Sequence, residues 1–346
     1  MAYTDIDKPS DYFNTKLFTG NGSTNAITGV GFQPDWIWFK NRTSAQSHAI
    51  VDSVRGRKGL ISNGTNAEFN LTAGREFGTF DSDGFTVLNP EQLNSFNYNT
   101  GSIVSWNWKA GGSASSNSNG TITSSVSANT DAGFSIGTYN GSGSDNTVGH
   151  GLGVAPDMII VKCKSTAHDW VVYHSALGNA KILTLNATTA AQSASGWQNT
   201  SPTSTVFSID NAANSLNQSG QSFVFYAFAS KKGYLKTGKW TGNGNNDGPF
   251  SFCGFKPAFI MIKRTDVAKN WYINDNLRLG YNINNPYISP NLTATETGGT
   301  EIDILSNGFK IRASGTGHNQ SGGTYIYMAF AENPFTTSTG VPATAR

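Results

Sequence analysis

Short apolar runs rich in Ile, Val, Phe, Tyr and Trp alternate along the chain with clusters of Gly, Asn, Ser and Pro. Runs of this kind, recurring about every 8 to 15 residues, predict strands and turns, and over segments of about 100 residues they predict β-sandwiches. The run Trp36-Ile37-Trp38-Phe39 is apolar at both parities, so its strand is expected to be central and covered on both faces. The run ending at Trp108 alternates less cleanly, with Ser105 and Asn107 opposite Trp106 and Trp108, and predicts a half-wet face. Helix is scarce; its best candidate is the Ala-rich stretch from Thr188 to Ala194, which fits one or two turns or a loop.

One pattern occurs three times. GFQPDWIWFK (31–40), GVAPDMIIVK (153–162) and GFKPAFIMIK (254–263) each place a Lys six residues after a Pro, with four apolar residues immediately before it. Flanking text aligns in the same order. Glycine-rich turns end at Gly22, Gly143 and Gly244; the motifs Asn63-Gly-Thr65, Asn186-Ala-Thr188 and Asn291-Leu-Thr293 follow each Lys; aromatic runs close each segment at Trp108, Phe228 and Phe330. Internal repetition takes precedence over local propensity in reading a fold. The expected architecture is therefore all-β, with three tandem lectin-like, jelly-roll-type β-sandwich repeats of about 100 residues.

The spacing from Pro34 to Pro156 exceeds that from Pro156 to Pro257 by about twenty residues, and GGSASSNSNGTITSSVSANTD (111–131) accounts for them. The resulting division is an N-terminal arm 1–15, repeat one 16–110, a Gly/Ser/Asn-rich linker 111–131, repeat two 132–231, repeat three 232–335 and a C-terminal tail 336–346. The long linker predicts that repeat one sits apart, and the short join at 229–233 predicts that repeats two and three pack closely.

Composition narrows the function classes. Charged residues make up only 13% of the 346, and the formal net charge is +2 with no long run of like charges. This disfavours coiled coils, charge-driven disorder and electrostatic binding to nucleic acid. No apolar stretch is long enough for a membrane span, which predicts no membrane insertion. The start, Met1 to Lys8, lacks a secretory signal's basic and apolar regions, which predicts a protein not exported by that route. Two cysteines, Cys163 and Cys253, are too few for a disulfide framework and are expected as buried thiols.

Catalytic and metal motifs read as fold. Lys40, Lys162 and Lys263 recur at one place in all three segments, so a shared strand end explains them better than a ligand contact. The Asn-Xaa-Thr series has the glycosylation pattern but reads as turns in which Asn bonds its own backbone. Asp81 and Asp83 could pair for hydrolysis, yet they align with the turn at Asn307-Gly308. His168 and His174 lack a third ligand at suitable spacing. No cofactor and no enzyme activity are expected. Aromatics without a counterpart in the other segments, Trp197 and Tyr281, are the candidates for stacking on a glycan.

Several phrases resemble a repeat-containing family of tail-fibre-like or SPRY-like virion proteins of marine tailed bacteriophages. They are YTDID (3–7), DSVRG (52–56), WNWKAGG (106–112), VGHGLGVAP (148–156), GFKIR (308–312), YIYMAFAENPF (325–335) and the ATAR end (343–346). The resemblance implies a lectin-like virion component made in the host cytoplasm, with no catalytic residues to carry over. The expected function is a structural protein of the particle, on tail, baseplate or capsid, contributing to host attachment. Its expected partners are other virion proteins, further copies of itself, with the trimer common among fibres, and a host-surface glycan. A carbohydrate-binding module or adhesin is the alternative reading, and a polysaccharide-degrading enzyme a third.

Overall fold

The computed structural model describes residues 3–211, 213–278, 282 and 286–343. The protein is all-β, built from antiparallel sheets. Three large sheets share one internal order of four strands, namely opening, closing, lysine and return strand. In the first sheet these are Phe13–Thr19, Ser102–Trp108, Trp36–Asn41 and Ala49–Asp52. In the second they are Phe134–Asn140, Ser222–Phe228, Met158–Cys163 and Val171–His174. In the third they are Leu235–Thr241, Thr324–Pro334, Phe255–Arg264 and Trp271–Asp275. A smaller outer sheet of two or three strands covers one face of each.

The apolar runs explain this layering. In the lysine strands, residues of one parity (Ile37 and Phe39, Ile159 and Val161, Ile260 and Ile262) face separate cores beneath the outer sheets. Those of the other parity (Trp36 and Trp38, Met158 and Ile160, Phe259 and Met261) enter one hub shared by all three large sheets. Each large sheet is thus buried on both faces, as a run without polar alternation requires. Trp36 stacks on Tyr226 at 4.6 Å, Trp106 meets Phe259 edge-on at 5.8 Å, and Phe228 meets Phe330 at 6.0 Å, so every pair of sheets is in aromatic contact.

Three expectations are corrected, and the alternative left open at 188–194 is resolved to a loop. The first sandwich does not sit apart, because its Trp36, Trp38, Trp106 and Trp108 form part of the hub. The 111–131 segment is not a flexible connector, because Ser115–Asn117 and Ser124–Asn129 add two strands to the open edge of the second sheet. Gly111 and Gly120 serve close backbone approach: a Cβ would lie 2.3 Å from Ala128 O at Gly111 and 2.4 Å from Thr147 O at Gly120. The face carrying Ser105 and Asn107 is dry, with Asn107 Nδ2 donating to Asn14 O at 2.9 Å. The stretch 188–194 is coil leading into the short strand Gln192–Ser193, because the backbone N–H groups of Ala191 and Ala194 are taken by Thr265 O and Ala180 O rather than by a helix ladder.

The recurrent lysines lock the sheets together. Lys40, Lys162 and Lys263 are fully buried near their strand ends. Each Nζ donates to the carbonyl six residues on, of Gln46, His168 and Lys269 respectively. Each also donates to a carbonyl of another sandwich: Lys162 to Thr65 O (3.0 Å), Lys263 to Thr188 O (2.9 Å) and Lys40 to Thr293 O (2.8 Å). The second sandwich donates to the first, the third to the second and the first to the third, a closed cycle. The threonines belong to the Asn-Xaa-Thr series, whose asparagines do not bond their own backbone as expected. Instead Asn63, Asn186 and Asn291 accept the backbone N–H of His48, Trp170 and Trp271, which starts the return strand (2.7, 2.8 and 3.0 Å). Trp170 and Trp271 then donate Nε1 to Ile61 O and Thr184 O of the preceding sandwich, both at 2.9 Å.

Burial pulls the pKa of each of these ammonium groups down to about 8, the cost of leaving water, and the carbonyl acceptors offset that cost. Lys162→Met removes the donors and leaves Thr65 O and His168 O unpaired. It is expected to lower unfolding stability by about 2 to 4 kcal/mol, read as a lower urea midpoint at unchanged m-value; an unchanged midpoint would contradict the locking role.

Candidate functional site

The three junctions between sandwiches are built on one plan and filled differently. At each, a backbone N–H from one sandwich reaches the residue two past the next lysine: Glu68 N to Lys164 O, Ala191 N to Thr265 O and Glu296 N to Arg42 O (2.7, 2.8 and 3.0 Å). Glu68, Ala191 and Glu296 therefore occupy one position. By the same alignment Asp52, His174 and Asp275 end the return strands, and Arg55, Leu177 and Arg278 stand three residues on.

Two junctions are closed by buried ions. Arg55 donates Nε to Asp52 (2.6 Å) and Nη1 to Glu68 (2.9 Å), while Tyr226 OH donates to Asp52 Oδ2 across the junction at 2.7 Å. Burial opposes the Arg55 charge, but Asp52, Tyr226 and Glu68 outweigh it and hold its pKa above the ordinary guanidinium value. In the third-to-first junction Arg278 donates to Asp275 (2.5 Å) and Glu296 (3.0 Å). There Trp106 Nε1 donates to Asp275 (2.9 Å), and Arg42 binds Glu296 through two bonds of 2.9 Å. Burial would raise the pKa of Glu296, but Arg42 and Arg278 lower it below the usual carboxylate value. Such networks are costly to half-break, because each partner is left as an unpaired buried charge.

The second-to-third junction has no such ions. With Leu177 and Ala191 in place of Arg and Glu, the space stays open as a pocket of about 500 Å³. Leu177, Ala191 and Ile326 give it an apolar floor. Thr241, Thr265 and Thr324 bring hydroxyls, and Lys181 and Lys239 bring ammonium groups from opposite sandwiches. Asp266 stands at the wall, fixed by Arg264 through bonds of 2.9 and 2.8 Å and by Thr324 N at 3.1 Å. The Arg264 bonds hold the Asp266 carboxyl down at about 2. Trp240 and Tyr325 stack behind it at 5.0 Å.

His174 replaces the aspartate of the other junctions and is satisfied as a neutral ring. Nδ1 accepts from Ala176 N (3.2 Å) and Nε2 faces Tyr327 O (3.1 Å), which fits the Nε2–H tautomer.

Trp197 is not a stacking platform: it is 1% exposed and packs beneath the second outer sheet against Tyr173 and Phe207. Lacking a counterpart marked a local core substitution there, not a ligand contact. Tyr281 lies outside the described residues. Asp83 accepts the backbone N–H groups of Gly29 and Gly31, and Asp81 the hydroxyls of Thr79 and Thr86, so both serve turns. Cys163 and Cys253 are buried free thiols. Among the described residues no group of three His, Cys, Asp or Glu is placed to hold a metal ion, and no helix is long and apolar enough to cross a membrane.

Against known families, residues 8–334 match the one described as Domain of unknown function (DUF7483). The chain belongs to this family. The match runs from the first sandwich to the end of the third, so the family unit is the whole cycle of sheets and not one sandwich. No curated protein matches the chain. Sequence reasoning missed the pocket residues Lys181, Lys239 and Asp266. The signal for them lay in the aligned segments, where Arg–Leu–Arg and Glu–Ala–Glu mark the middle copy as the exception.

Burial lowers the pKa of His174 to about 4. Between that value and the ordinary His range the unfolded chain binds a proton that the folded ring does not, so this contribution to stability is full above about pH 6.5 and is lost as pH falls toward 4. NMR is expected to show the neutral Nε2–H ring of His174 at pH 5.5, with a urea midpoint that drops from pH 6.5 to 4. A protonated ring at pH 5.5 in the folded protein would contradict the site geometry.

Proposed function

We propose that the chain is one sandwich unit written three times and closed into a rigid module, and that it serves as a non-enzymatic structural protein of a tailed-phage virion. In this reading it is mounted on tail, baseplate or capsid and contributes to attachment at the host surface. The virion setting rests on the resemblance of its sequence phrases. The observation that carries the structural role is the closed lysine-to-carbonyl cycle around one aromatic hub, since a module whose three parts hold one another resists local opening. One chain supplies all three sheets of that hub, so a trimer is not needed to build it.

The chain ends favour one mounting face. Thr4 Oγ1 donates to Lys232 O (2.7 Å), which fixes the segment about Thr4 against the third sandwich, and Ser338 N donates to Asp7 Oδ1 (2.6 Å), which ties the segment about Ser338 to it. Beside them Tyr3, Phe252 and Phe335 are exposed, together with Lys232 and Lys236. Exposed aromatics gathered in this way mark contact surfaces, and the reading assigns this face to a neighbouring particle protein.

Mass spectrometry of purified particles is expected to find the protein, and its absence would overturn the reading. Phe252→Ser with Phe335→Ser is expected to leave the melting temperature within about 2 °C, because both residues are exposed, and to reduce incorporation into particles.

A further inference from the structure

We propose that the pocket between the second and third sandwiches binds a small acidic saccharide, one or two rings bearing a carboxylate. This deepens the attachment role proposed above and rests on it. The pocket exists because the two side chains that fill the equivalent space at the other junctions are replaced by Leu177 and Ala191. Where the repeated plan is kept, it holds the sheets together; where it is broken, an open space lined by polar side chains appears. About 500 Å³ lies in the range of small-ligand sites and suits one or two sugar rings.

The lining selects the chemistry. A pyranose has an apolar C–H face and a rim of hydroxyls, and the pocket offers Leu177 and Ile326 for the face and the Thr265 and Thr324 hydroxyls for the rim. Asp266, ionised at all ordinary pH by its Arg264 clamp, is an acceptor for ligand hydroxyls that needs no reorientation on binding. Lys181 and Lys239 face the cavity from its two sides, and Arg264 already balances Asp266, so the remaining local charge is positive. A carboxylate on the ligand meets that charge. A neutral sugar leaves two ammonium groups without an added partner, and a bare anion leaves the apolar floor uncovered.

The test is isothermal titration of the purified full chain with digalacturonate, and with cellobiose as the neutral comparison. Digalacturonate is expected to bind at least about tenfold more tightly than cellobiose and to weaken several-fold between low and 0.5 M salt. Lys239→Gln is expected to weaken it about fivefold, since one of two facing charges is lost. Leu177→Arg with Ala191→Glu restores the pair found at the other junctions and is expected to abolish binding. Lys181→Gln with Lys239→Gln, both outside the core, provides a second loss-of-binding variant should the filled protein fold poorly. No binding of digalacturonate, equal binding of cellobiose, or unaltered binding by the double-lysine variant would overturn the proposal. Presence in purified particles is a separate readout, so an empty pocket in a true particle protein is distinguishable from failure of the virion reading.

Discussion

Three lysines taken out of water hold this structure together. A buried ammonium is unfavourable unless carbonyls replace its hydration, and here each lysine finds acceptors both in its own sandwich and in a neighbour. Each sandwich thus supplies a carbonyl that completes the shell of a neighbour's lysine. The aromatic hub follows from the same constraint: once the sheets are held in a cycle, their inner faces have only each other to pack against, and Trp36, Phe259 and Phe228 reach across.

A repeated architecture also separates scaffold from site. Positions that recur with the same partners, such as the lysines, the Asn-Xaa-Thr asparagines and the junction N–H groups, are explained by closure of the cycle. Junction positions that depart are under a different constraint. The Asp–Arg–Glu clusters seal two junctions with fully engaged charges, whereas His174, Leu177 and Ala191 leave the third open and neutral in its depths. The pocket is thus an asymmetry of sequence made visible as volume.

The layering was legible in the sequence because a strand apolar at both parities has to be covered twice, and the lysine strands are. The cycle was not, since an apolar face does not specify what covers it, and the partner of Lys162 lies on a loop about a hundred residues earlier in the chain. The Ser-rich strand Ser124–Asn129 looks like linker in the sequence because it is held largely by main-chain pairing to the second sheet's edge, which side-chain periodicity does not report. An aromatic without a counterpart, such as Trp197, looks functional in the sequence, but Trp197 is buried against Phe207 in the second sandwich's core. Of the pocket, only the departures at Leu177 and Ala191 were visible in principle, as differences within otherwise matching text.

The central claim is that three sandwiches behave as one cooperative body because each completes the next. Differential scanning calorimetry of the full chain tests it most directly. The account predicts a single transition whose van't Hoff enthalpy equals the calorimetric enthalpy. A calorimetric enthalpy about three times the van't Hoff value, or resolved separate transitions, would mean that the sandwiches unfold independently and would contradict it.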